Sequence, residues 1–146
     1  MKNQKIICFS NDWDQDPLSK HQIMKIISND NFVLWFNSIG MRNPSINKND
    51  IFKLVHKLRS FLSGYRRIKK NLVVVSPIII PFQRNRVVAV INKVLLFLQI
   101  SYYKRKFNLI KPICWVFLPN FEPILNYIDK SILIYYITDD FSEFTN

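Results

Sequence analysis

Five short apolar runs divide this chain: KIICFS at 5–10, FVLWF at 32–36, LVVV at 72–75, ICWVFL at 113–118 and ILIYYI at 132–137. Runs this short, rich in β-branched and aromatic residues, predict strands. Their apolarity is continuous rather than alternating. That pattern predicts strands covered on both faces, as in a parallel sheet. The segments between them carry helical signals. The resulting β-α-β-α-β-α-β-α-β order predicts an α/β fold: an open parallel sheet of about five strands, with right-handed crossovers and helices on both faces.

The helical signals are local. Asp16-Pro17 suits a helix start, the aspartate as cap and the proline at the first helical position. Residues 18–29 then place Ile23, Met24, Ile26 and Ile27 at near-helical spacing. Ile51, Leu54, Val55, Leu58, Phe61 and Leu62 share one face of a helix that Asn49 or Asp50 can cap and Gly64 can stop. Pro77 and Pro81 bracket an extended Ile78-Ile79-Ile80 segment. A long helix is expected over 84–106, apolar almost all round, opening on Arg84 and Arg86 and closing on Lys104-Arg105-Lys106. The closing cations suit the negative end of the helix dipole, whereas the opening arginines do not and point to another use. A short helix is expected to begin at Pro119-Asn120 and end near Asp129.

The chain has 146 residues, one domain's worth, and 49% of them are hydrophobic, enough for a core. Cys8 and Cys114 are its only cysteines, each inside an apolar run, and read as buried reduced thiols suited to a cytoplasmic compartment. The N-terminus does not read as a signal peptide, and no uncharged apolar run reaches the length of a membrane span. The stretch 87–103, broken by Lys93, reads as a soluble or interfacial helix. No G-x-x-x-x-G-K or G-x-G-x-x-G occurs, so the usual glycine-based cradle for nucleotide phosphates is missing.

Charge is unevenly spread. Residues 48–111 hold 15 of the 21 Lys and Arg and a single acid, Asp50. Such a basic body suits an anionic partner. Arg84, Arg86, Lys104 and Arg105 are the candidate membrane-facing cations, with interleaved aromatic residues that suit a headgroup boundary. No nucleic-acid-binding module is recognisable, so nucleic acid is not an expected partner. The acids gather after the first and last strands: Asp12, Asp14 and Asp16 in one cluster, Asp139, Asp140 and Glu143 in the other. Ligands of open parallel sheets bind beyond the carboxyl ends of the strands. Asp12, Trp13, Asp14 and His21 are therefore candidate substrate-binding residues. Asp139 and Asp140 are candidate catalytic carboxylates, able to accept from sugar hydroxyls or act as a general base. The plainer readings are a cap at Asp16, solvated loop acids, and a surface or capping histidine at His21. A phosphate-receiving domain does not fit, since Val75-Ser76-Pro77 stands where its aspartate is needed.

Four segments in order, IICFSNDWDQDPLSKHQIMKII, FVLWFNSIGMRNP, ICWVFLPNFEP and ILIYYITDDFSEF, resemble the N-terminal domain of GT-B fold glycosyltransferases. The nearest likeness is to the bacterial retaining family-four type, which builds exopolysaccharide, teichuronic acid and related surface glycans. The matching residues are Asp16, Pro17, Lys20 and His21; Asn43 and Pro44; Trp115 and Pro119; and Tyr135, Tyr136, Asp139, Asp140, Phe141 and Ser142. The resemblance implies a Rossmann-like domain that binds the sugar acceptor, often lipid-linked. A second domain binds the nucleotide-sugar co-substrate. No other cofactor and no divalent metal are implied. Asp12-Trp13-Asp14 spells D-x-D, but in metal-dependent transferases that motif follows a nucleotide-binding βαβ segment rather than the first strand, so no metal is assigned to it. The donor domain and its E-x(7)-E-type motif have no counterpart here. The expectation is thus a truncated acceptor-side domain over 1–146, inactive without a donor-domain partner chain; the alternative is a non-catalytic α/β binding or membrane-surface-associated protein. It is expected in the cytoplasm, in peripheral contact with the inner face of an anionic plasma membrane.

Overall fold

Each of the five apolar runs forms a strand in the computed structural model, which describes residues 1–14, 19–38, 64–80 and 85–137. The elements are β1 (Lys5–Phe9), α1 (Ser19–Ile27), β2 (Phe32–Phe36), β3 (Tyr65–Lys69), β4 (Leu72–Val75), α2 (Arg86–Lys106), β5 (Ile113–Val116), a 3-10 turn at Pro119–Phe121 leading into α3 (Glu122–Leu125), and β6 (Ile132–Tyr135). They make one sheet in the order β3-β4-β2-β1-β5-β6. The expected helix around 51–62 and the residues Asp16, Pro17, Arg84, Asp139, Asp140 and Glu143 lie outside the described residues.

The sheet has six strands rather than five, and it is not wholly parallel. β3 pairs antiparallel with β4 across a tight turn at Lys70-Asn71. Its sequence, YRRIK, carries three cations and no apolar run. An edge strand needs none: it pairs on one side only and keeps its charged residues in water. Gly64 precedes β3 with φ +80°, a left-handed conformation that glycine adopts without penalty; the helix it is expected to stop lies outside the described residues.

Register explains the continuous apolarity of β1, β2, β4 and β5, whereas β6, expected to be covered on both faces, lies at the other edge of the sheet and leaves Ile132, Leu133 and Tyr135 exposed. Ile7, Phe9, Leu34, Phe36, Val73, Val75, Cys114 and Val116 face α2 and α3, packing on Leu96, Ile100, Tyr103, Ile124 and Leu125. The alternate residues Ile6, Cys8, Val33, Trp35, Leu72, Val74 and Ile113 face α1, packing on Met24. Apart from Lys5 at the start of β1, every residue of the central strands therefore packs on one core or the other. α2 begins at Arg86, two residues later than expected. Asn85 caps it, its Oδ1 accepting from the backbone N–H of Val87 at 2.9 Å and Val88 at 3.4 Å. β5 ends at Val116 and β6 at Tyr135, short of the expected 118 and 137. The expected helix towards Asp129 is reduced to the 3-10 turn and one turn of α3.

Cys8 and Cys114 sit on neighbouring strands but on opposite faces of the sheet, which separates their sulfurs. Both are free and buried. Burial pushes the Cys8 thiol well above its ordinary value, partly opposed by Lys20, and pushes Cys114 up to about 11. Neither thiol is expected to react with a thiol reagent at pH 8 until the protein is unfolded, when both should; two equivalents titrated in the native state would contradict this burial. The folded state holds these protons more tightly than the unfolded chain. Their contribution is complete below the ordinary value near 9 and is lost as pH rises towards 11. Urea midpoints should fall across that window, and less so in Cys114→Ala.

Candidate functional site

β1 is central. The chain adds β2 and β4 on one side of it and β5 and β6 on the other, so the direction of winding reverses between β1 and β5. α1 accordingly lies on one face, and α2 and α3 on the other. A crevice opens beyond the carboxyl ends of the two strands where such a reversal occurs, and ligands of open α/β sheets bind there. The two strands stay zipped to their last residues, with the Phe117 N–H donating to the Phe9 carbonyl at 2.9 Å. They part after Ser10 and Leu118. Residues 11–14 form one bank of the crevice and Pro119-Asn120 the other.

The first bank is held by a residue that sequence reasoning passed over. Asn37, the first residue after β2, is 6% exposed. Its Oδ1 accepts from the Trp13 backbone N–H at 2.9 Å and from Trp35 Nε1 at 3.1 Å. Its Nδ2 donates to the Ser76 hydroxyl at 2.8 Å, and its own N–H donates to the Val75 carbonyl. Trp35 Nε1 also donates to the Asn11 carbonyl at 3.1 Å. One amide thus ties together the exits of β1, β2 and β4. The only cue in the sequence is an asparagine directly behind an all-apolar strand.

Asp12 stands half-exposed on this bank. One carboxylate oxygen accepts from the Ser38 hydroxyl at 3.1 Å, and no other hydrogen bond to this carboxylate is made among the described residues. Asp14 points away, into an exposed ion pair with Arg66 of β3 at 2.6 Å. Exposed pairs of this kind add little stability. Trp13 is half-buried. Its ring meets the edges of Trp35 at 4.9 Å and His21 at 5.0 Å, and Lys25 Nζ lies 5.5 Å from its centre. His21 is not a surface residue. It is 1% exposed and lies in the Trp13-His21-Trp35 cluster, because its position on α1 puts it on the side facing the sheet. Asp12 and Trp13 therefore share the crevice bank, His21 supports it from beneath, and Asp14 is drawn off to the β3 edge.

Beside the crevice, on the α2 side, is a cavity of about 270 Å3 lined by Ile79, Ala89, Leu96, Phe121 and Ile124, with Asn120 at its margin. Its outer wall is the extended segment 78–80, clipped to α2 by two side-chain amides. Asn92 accepts from the Ile80 N–H at 2.6 Å and donates to its carbonyl at 2.8 Å; Gln99 does the same with Ile78 at 2.8 and 2.9 Å. Two amides seven residues apart in an otherwise apolar helix were the sequence signal for this clip.

Among the described residues no three His, Cys, Asp or Glu side chains gather at metal-binding distance. Arg86, Lys104 and Arg105 are at the two ends of α2, where the sequence placed them, and Arg86 and Arg105 are exposed. Comparison with protein-family models, with curated proteins and with solved structures finds no match to this chain.

Proposed function

We propose that this chain is the acceptor-side domain of a sugar transferase, and that the β1–β5 crevice holds a hydroxyl-rich acceptor. The observation that carries this reading is the composition of the crevice bank. The crossover from β1 offers a carboxylate, Asp12, braced by Ser38 and by the Asn37 network, where a nucleotide-binding α/β domain would offer a glycine-rich loop at a helix N-terminus. A carboxylate repels phosphate and accepts hydrogen bonds from hydroxyl groups. The apolar cavity next to the crevice suits the non-sugar part of a lipid-linked acceptor. The nucleotide-sugar co-substrate would be held by a donor domain. The two free thiols agree with work in the cytoplasm. Asp139 and Asp140, which follow β6 in sequence, are proposed as further carboxylates that act on the acceptor.

Saturation-transfer NMR with a panel of mono- and oligosaccharides and of nucleotide sugars tests the reading. Transfer to at least one saccharide class is expected, and Asp12→Asn should weaken it about tenfold, the loss of one charge-assisted hydrogen bond. Preferential binding of the nucleotide sugars would overturn it, as would saccharide binding that Asp12→Asn leaves unchanged.

A further inference from the structure

α2 is apolar on two opposite sides. Asn92, Leu96, Ile100 and Tyr103 are buried against the sheet. On the other side Val87, Val90, Ile91, Val94, Phe97, Leu98 and Tyr102 are between 40% and 67% exposed. These seven positions follow helical spacing and make one stripe along the helix, interrupted by no charged residue. At 3.6 residues per turn Arg86, Lys93 and Lys104 fall along one border of the stripe, Lys106 along the other, and Arg105 at its C-terminal end. Tyr102 and Tyr127 stand at the borders, against Lys106 and Lys93. The helix is long and apolar enough to cross a membrane, but its inner side is part of the domain core, so it cannot span without unfolding the sheet.

We propose that α2 lies in the plane of an anionic membrane surface, its outward stripe in the acyl boundary and its flanking cations among the headgroups. The charge pattern selects this occupant over a second copy of the chain. α2 carries five cations and no carboxylate. An antiparallel pair of α2 helices would set Arg86 against Lys104, Arg105 and Lys106, and a parallel pair would set like on like. A surface that is apolar in its depth and anionic at its rim matches both features. Tyrosine at the border is the residue type that bridges the two layers. The inference stands whether or not the crevice binds an acceptor.

The test is vesicle co-sedimentation of the full chain on neutral phosphatidylcholine vesicles and on vesicles doped with phosphatidylglycerol, at low and high salt. Binding to the anionic vesicles is expected to exceed binding to neutral ones by about fivefold for each cation near the surface, and to fall in high salt. Val94→Gln with Leu98→Gln should lose about tenfold or more, since both side chains face away from the core and their removal leaves the fold intact. A second readout uses the inertness of Cys8 and Cys114. Val94→Cys, labelled with an environment-sensitive dye, should shift to the blue on anionic vesicles. Equal binding by the Val94→Gln, Leu98→Gln variant would overturn the proposal. So would an unshifted dye, or concentration-dependent self-association of the wild type in sedimentation velocity that this variant abolishes.

Discussion

Asn37→Ala is expected to lower the stability of the fold by about 1–3 kcal/mol, because a buried acceptor of two N–H groups disappears and a stranded donor costs about that much. The donor left stranded is the backbone of Trp13; the Trp35 indole keeps the Asn11 carbonyl, and the Ser76 hydroxyl loses its partner as well. Asn37→Leu, which fills the space but accepts nothing, should lose as much, and that separates hydrogen bonding from packing. The measurement is urea unfolding, where the midpoint should fall with its slope unchanged. Loosening should concentrate in the Asp12-Trp13 bank, so the Trp13 amide should exchange with solvent much faster than amides in β1. A variant as stable as wild type would mean that water replaces the asparagine at no cost, and the bank could not then be called preorganised.

Trp35→Ala is expected to cost about 3–5 kcal/mol, the range for removing a buried aromatic ring. Trp35 is fully buried. It meets Trp13 at 4.9 Å and His21 at 5.0 Å, and lies opposite Val74 and Cys8 in the register of its two neighbours. Trp35→Phe keeps most of the ring and removes the donor, so it should cost only about 1–2 kcal/mol. Since the lost donor serves Asn37, the double variant Trp35→Phe, Asn37→Ala should be less destabilised than the two single effects added, by about 0.5–3 kcal/mol. Strict additivity in thermal or urea unfolding would show that the two residues do not act as one unit. His21 depends on the same cluster, so its solvent accessibility should rise in Trp35→Ala and stay low in Trp35→Phe.

These two expectations change the meaning of the acidic loop after β1. As a sequence, NDWD reads as a polar turn with two equivalent carboxylates. In the fold the two part company: Asp12 is held by Ser38 behind β2, while Asp14 reaches Arg66, 52 residues further along the chain. Nothing local distinguishes them, since each is one residue from Trp13. The distinction comes from β3, an edge strand whose charged sequence gave no apolar signal.

The apolar runs determined the strands and the α/β class and, for β1, β2, β4 and β5, burial on both faces, because a segment of four to six apolar residues has few ways to leave water other than as an interior strand; β6, equally apolar, lies exposed at the sheet edge, a place that only the topology assigns. The spacing of Met24 on α1 and of the cations closing α2 was equally legible, each resting on interactions within a few residues. What only the tertiary structure decided are the relations between distant segments. The reversal of winding at β1 and β5 sets where the crevice opens. Pairing across the sheet makes Asn37 the keystone of its bank and turns His21 into a buried support. The limited reach of the core leaves one whole side of α2 apolar and uncovered. Helix periodicity shows that α2 is apolar all round, but only the packed sheet shows which side the core has no room to cover.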